Sequence, residues 1–131
     1  MFINPGEFQK QTVYLMTVEM ENEFWKYMYE NNEDLEKNFD LTYELKSKHL
    51  AFHFSEFRPI SESEFIIEEL SQIPFKKYEL INPIADGTGP ILFNKEYGIL
   101  GIGNVMGPNL VCLPKAANEK IAISIREKLF E

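Results

Sequence analysis

Residues 13–30 read VYLMTVEMENEFWKYMYE, and the secondary structure given to them decides the class of the whole chain. Wound at 3.6 residues per turn, Thr12, Glu19, Asn22, Glu23, Lys26 and Glu30 gather on one narrow face. Val13, Tyr14, Met16, Val18, Met20, Phe24, Trp25, Tyr27, Met28 and Tyr29 cover a wide opposite arc. A helix that apolar is largely buried. The alternative is a strand over Thr12 to Met20, favoured by Thr-Val-Tyr and Thr-Val, followed by a helix from Asn22. The long helix is the reading adopted. Its Met and Tyr content suits core packing, with a flexible partner-binding face as the second reading.

Upstream, Asn4-Pro5-Gly6-Glu7 has the form of a helix start, with Asn as cap, Pro at the first helical position and Glu completing a capping box. Downstream, Asn31-Asn32-Glu33-Asp34 ends or kinks the helix and opens an acidic cluster of Glu33, Asp34, Glu36 and Asp40. The cluster lacks the Asp-x-Asp-x-Asp-Gly grammar and terminal Glu of a calcium loop. Leu41 to Phe57 alternates with period two: Leu41, Tyr43 and Leu45, then Leu50, Phe52 and Phe54, about a turn at Ser47-Lys48. That pattern is a hairpin with one face inward. His49 and His53 lie on one face of such a strand but ~13 Å apart, too far to share a metal.

Ser61-Glu62-Ser63-Glu64 is a second capping box, and Phe65, Ile66, Leu70 and Ile73 follow at helical spacing until Pro74. This predicts a middle helix. From Tyr78 onward the pattern is extended: strands over Lys76 to Ile84, Ile91 to Phe93, Tyr97 to Val105 and Leu110 to Leu113. The turns between them are marked by Asp86-Gly87-Thr88-Gly89-Pro90 and Met106-Gly107-Pro108-Asn109. Neither glycine run matches a phosphate loop or a dinucleotide fingerprint. The Gly98, Gly101, Gly103 series marks a bulge or a close backbone approach in a strand. Lys115 to Glu131 reads as a closing amphipathic helix with Ile121, Ile125 and Leu129 at steps of four. The expected fold is therefore α+β: a mostly antiparallel sheet packed by N-terminal, middle and C-terminal helices.

The chain has 131 residues, the length of one domain. No apolar run approaches the ~20 residues of a membrane span. Met1 to Pro5 carries neither a basic region nor an apolar signal core, so a cytoplasmic location is expected. The single cysteine, Cys112, lies in an apolar strand and reads as a buried thiol in a reducing compartment. No nucleophile, metal or cofactor pattern emerges, so neither catalysis nor a cofactor is expected. The net charge of −8 is uneven: residues 1–75 hold 15 acids and 6 bases, residues 76–131 hold 6 acids and 7 bases. An acidic half repels phosphate backbones, which excludes direct nucleic-acid binding, and steers toward a basic protein. A solubilising surface is the plainer reading of the same charge.

In size, in its acidic first half and in its expected single cytosolic α+β domain, the chain resembles bacterial toxin-immunity proteins. The resemblance is one of general character and rests on no diagnostic motif. It implies a nuclease-type toxin as the basic partner, with its active-site Arg and Lys capped by carboxylates. The residues assigned to that contact are Glu21, Glu23, Glu30, Glu33, Asp34, Glu36 and Asp40. A second function class is a small-molecule-binding or regulatory module with an aromatic-lined pocket.

Overall fold

A computed structural model of the chain describes residues 2–3, 11–12, 14–31, 33, 35, 38–52, 55–82, 88–104, 110–113, 125 and 127–128. Residues 13–30 are not a helix. They contribute two antiparallel strands, β3 (Tyr14–Met20) and β4 (Phe24–Asn31), joined across Glu21-Asn22-Glu23. Tyr14 pairs with Asn31 and Met20 with Trp25, without a slip in register. The wide apolar arc arose because both faces of β3 and β4 carry apolar residues. Helix propensities of non-Gly, non-Pro residues differ by at most ~0.7 kcal/mol each. Fully burying a large apolar side chain is worth roughly 1.5–3 kcal/mol. Tyr27 and Tyr29 are buried by the strand arrangement, and that term decides. The alternative strand over Thr12 to Met20 comes close to the truth, but a second strand follows it instead of a helix.

The remaining strands are β1 (Phe2–Ile3), β2 (Gln11–Thr12), β5 (Phe39–Glu44), β6 (Leu50–Phe52), β7 (Ser55–Pro59), β8 (Lys76–Leu80), β9 (Thr88–Asn94), β10 (Gly98–Asn104) and β11 (Leu110–Cys112). They form one antiparallel sheet in the order β2-β1-β11-β10-β9-β8-β7-β6-β5-β4-β3. The hairpin predicted over Leu41 to Phe57 is present as β5 and β6, and the four extended segments after Lys76 are β8 to β11. The expected α+β class is thus corrected to an all-antiparallel β architecture, a curled half-barrel of nine consecutive strands.

The curl follows from two observations. In a flat sheet the six steps from β4 to β10 would span ~29 Å. Yet the Ile99 amide donates to the Tyr29 hydroxyl at 2.9 Å. Thr12 in β2 and Tyr14 in β3 also stand at opposite ends of the strand order. Two residues of chain reach at most ~7 Å, so the sheet's two ends lie beside each other there.

The concave face holds the main core: Tyr27, Tyr29, Leu41, Tyr43, Leu50, Phe52, Phe57, Tyr78, Ile91, Phe93, Ile99, Ile102 and Cys112. Cys112 is buried, as its strand context predicts. A second, smaller core covers the convex face of β8 to β11, where Phe75, Leu92, Leu100, Val111, Leu113 and Ile125 meet Phe65, Ile67, Leu70 and Tyr97.

The predicted middle helix over residues 61–73 is absent. Phe65 and Phe75 instead exchange backbone hydrogen bonds of 3.0 and 2.7 Å, closing a loop over the convex face. The cap was assigned to Ser61 with Glu64, but the Glu64 carboxylate pairs with Lys76 at 3.3 Å, and the neighbouring Ser63 hydroxyl donates to the Ile60 carbonyl and accepts from the Lys77 amide. The run is short, and an extended path lets Phe65 and Ile67 reach the second core. Both shape and composition therefore favour the loop. The N-terminal helix start at Asn4 to Glu7 lies outside the described residues. So does most of the segment predicted as a C-terminal helix, of which Ile125, Glu127 and Lys128 are described and helical.

The glycine series in β10 does mark irregularity. The β9–β10 register shifts between Ile99 and Gly101 and again between Ile102 and Asn104. The turn joining these strands is tied down by Asn94. Its amide donates to the Ser71 hydroxyl and the Ile73 carbonyl, and its oxygen accepts from the Tyr97 amide.

Candidate functional site

Cross-strand partners share a face, so the register assigns every residue of β3, β4 and β5 to one side of the sheet. Leu15, Thr17 and Glu19 of β3 lie on the convex side, beside Glu30, Met28 and Lys26 of β4. Phe24, Lys26 and Met28 in turn face Glu44, Thr42 and Asp40 of β5. Ala51 and Glu56 continue the Thr42 row onto β6 and β7. Among the described residues of β3 to β5, this surface therefore carries the carboxylates of Glu19, Glu30, Asp40 and Glu44 and the ammonium of Lys26, and Glu56 and Arg58 of β7 extend it.

The Lys26 ammonium lies 3.7 Å from Asp40, with both side chains well exposed. It also faces Glu19 across the ladder. An exposed pair of this kind contributes ~0.2–1 kcal/mol. Its consequence here is to neutralise the middle of the patch. Glu56 is held by His49, whose Nδ1 is 3.1 Å away.

Apolar side chains stand among these charges: Leu15 is 60% exposed and Phe24 41%. On β8 to β11 the convex face is covered by the second core, whereas on β3 to β5 these residues meet solvent. At the end of this surface the β3–β4 and β5–β6 turns enclose an open cleft of about 560 Å³, lined by Asn22, Glu23, Phe24, Glu44, Leu45 and Lys46. The Leu45 amide donates to the Glu23 carbonyl at 3.0 Å, so the two turns are braced against each other.

Of the residues assigned to partner contact, Glu21, Glu23, Glu30, Glu33 and Asp40 are described and all five are exposed. Asp34 and Glu36 lie outside the described residues. The hairpin separates the five into two groups, since Phe24 and Asn31 at the ends of β4 are ~24 Å apart by strand rise. Glu21 and Glu23 lie at the turn with the cleft. Glu30 and Asp40 share the convex face near the opposite end, with Glu33 in the loop that follows β4.

Glu19, Glu44, Leu15 and Phe24 belong to the same surface and were missed by the sequence reading. The signal that identifies them is Glu21-Asn22-Glu23, a polar triplet between two runs rich in β-branched and aromatic residues. Among the described residues no three His, Cys, Asp or Glu side chains are placed to hold a metal ion. Nor is any helix long and apolar enough to cross a membrane. Comparison with protein-family models, with curated proteins and with solved structures finds no match to this chain.

Proposed function

We propose that the chain is a small acidic binding protein that takes a basic protein partner on the convex face of β3 to β5. The observation that carries this reading is the acidic face itself: Glu19, Glu30, Asp40 and Glu44 stand on one side of β3 to β5, with Leu15 exposed at one end and Phe24 exposed ~20 Å away at the other, on a face nothing in the described chain covers. Exposed apolar groups rimmed by charge are the composition of a protein interface. The braced cleft offers an anchoring point, where Glu23 and Glu44 flank the Phe24 ring and suit an Arg side chain that stacks and ion-pairs together.

The resemblance to toxin-immunity proteins, which now rests on size and the acidic first half, points to a class for the partner: a nuclease-type toxin domain whose phosphate-binding cations these carboxylates would pair with. The proposed compartment is the cytoplasm, which keeps a lone thiol such as Cys112 reduced. Binding, without catalysis or a cofactor, is the whole of the proposed activity.

The test is affinity capture from native cytosol and with the product of the neighbouring reading frame, at low and high salt, using the native chain and a Glu19→Lys/Glu30→Lys variant. The expected result is a stoichiometric basic partner, released by salt and bound at least tenfold more weakly by the variant, whose nuclease activity the native chain suppresses. A partner retained equally by the variant refutes the acidic-face assignment.

A further inference from the structure

The two edges of the sheet are finished differently. At one, β2 is only two residues long. At the other, β3 runs for seven residues with no strand beyond it among the described residues. Sheets commonly blunt an open edge with a short strand, a bulge, a Pro or a Lys, because its unpaired backbone groups accept another strand. β3 has none of these: its register with β4 is unbroken, and its single charge is Glu19. Three large apolar side chains that meet solvent lie on it, Leu15 at 60%, Met16 at 39% and Met20 at 67% exposure.

The β3–β4 turn fixes which backbone groups face outward. The Glu21 amide donates to the Phe24 carbonyl at 3.0 Å, so these two residues stand at a hydrogen-bonded position of the ladder. Such positions alternate with non-bonded ones along an antiparallel pair. Glu19, Thr17 and Leu15 therefore bond to β4, opposite Lys26, Met28 and Glu30. Met16, Val18 and Met20 turn their N–H and C=O groups to the open edge. Among the described residues these three meet no backbone partner there.

We propose that this edge pairs with the same edge of a second copy of the chain, antiparallel about a twofold axis through Val18. In that register Met16 of one copy faces Met20 of the other and Val18 faces Val18, so every outward group of the three residues gains a partner. Thr17 of each copy faces Glu19 of the other, and no carboxylate stands directly opposite another. Self-pairing also covers the exposed Met16 of one copy with the exposed Met20 of the other, which a strand of unrelated sequence does only by coincidence. The contact uses the edge of the sheet and leaves the convex face of both copies open. It is therefore independent of the basic-partner reading.

The test uses the full chain alone. Sedimentation velocity from about 1 μM to about 1 mM, the range of weak association, is expected to show a monomer passing to a dimer. Amide hydrogen exchange locates the contact. The Met16, Val18 and Met20 amides are expected to exchange freely in dilute solution and slowly in the dimer, whereas the Thr17 and Glu19 amides, bonded to β4, are protected in both. Thr17 is exposed, so a charge there acts on the pairing and not on the isolated chain. Thr17→Glu sets a carboxylate opposite Glu19 of the other copy and is expected to weaken the dimer about fivefold or more; Thr17→Lys sets an ammonium there and is expected to strengthen it about as much. Met20→Pro removes an outward N–H and is expected to abolish the dimer with the β-sheet circular dichroism retained. A chain that stays monomeric throughout the range overturns the proposal and hands the edge to an extended strand of another protein. A dimer in which the Met16, Val18 and Met20 amides exchange as in the monomer, or on which Thr17→Glu and Thr17→Lys act alike, overturns it as well.

Discussion

At the scale of single residues, Gly98 shows how little room the closure of the sheet leaves. Its φ is +91°, and a Cβ there would lie 2.7 Å from the Tyr29 hydroxyl and 3.0 Å from the Met16 sulfur. Tyr29 cannot yield freely, since its hydroxyl accepts the buried Ile99 amide. Gly98→Ala therefore combines left-handed backbone strain of roughly 1–2 kcal/mol with a clash against a fixed group. A loss of about 2–4 kcal/mol is expected in urea unfolding, with the slope unchanged. Tyr29→Phe removes the acceptor and leaves the Ile99 amide unsatisfied, an expected loss of about 1–3 kcal/mol by the same measurement. The special status of these glycines was legible in the sequence, because glycines at 98, 101 and 103 weaken a strand unless its backbone needs the room. Which side chain presses on Gly98 was not, because Tyr29 lies far away in the chain and meets it only after the sheet curls.

At the scale of elements, the four strands after Lys76 and the β5–β6 hairpin were legible because they lie cleanly between turn signals. The helices predicted over 13–30 and 61–73 were not there, for different physical reasons. In β3 and β4 both faces carry apolar residues: Tyr27 and Tyr29 enter the core, while Leu15 and Phe24 on the other side are exposed. Alternation is thereby blurred, and a helical wheel finds an apolar arc. Between Ser61 and Pro74 the sequence carries a cap pattern in Ser61 and Glu64, but Glu64 pairs with Lys76 and the segment follows an extended path over the convex face. The candidate site inherited the first error, since a helix puts Phe24 on the arc opposite Glu19 and Glu30, whereas the ladder places all three on one side of the sheet. Period two can be tested directly. Val18 points inward and packs on the main core, whereas its neighbour Thr17 is exposed on the convex face. Val18→Glu is expected to cost about 2 kcal/mol or more, through lost burial and a carboxylate facing the core. Thr17→Glu is expected to stay within about 0.5 kcal/mol of the native chain. Equal effects at both positions in thermal or urea unfolding would contradict the strand assignment.

At the scale of the whole molecule, the core is a store of phenols gathered from strands across the sheet. Burial pushes the pKa of Tyr27, Tyr29, Tyr78 and Tyr97 far above the ordinary tyrosine value of 10, and raises that of Tyr43 as well. The Cys112 thiol is pushed up by the same cause. In the unfolded chain these phenols lose their protons near pH 10, whereas in the folded chain they keep them to higher pH. Above pH 10 the folded state thus binds more protons than the unfolded one, and stability falls as pH rises; below it the contribution is fully present. Each such group removes up to about 1.4 kcal/mol per pH unit once the unfolded form is ionised. Four strongly shifted tyrosines together remove on the order of 5–6 kcal/mol per unit, comparable with the whole stability of a small domain. Alkaline unfolding is therefore expected as one steep transition within about two units above pH 10. The buried phenols should ionise in the same step in which the β-sheet circular dichroism is lost. The check is to record phenolate absorbance and circular dichroism together from pH 8 upward. If most of the tyrosines titrated gradually near pH 10 while the dichroism stayed native, their hydroxyls would be reaching water in the folded state. The close-packed concave core around Phe93 would then be wrong.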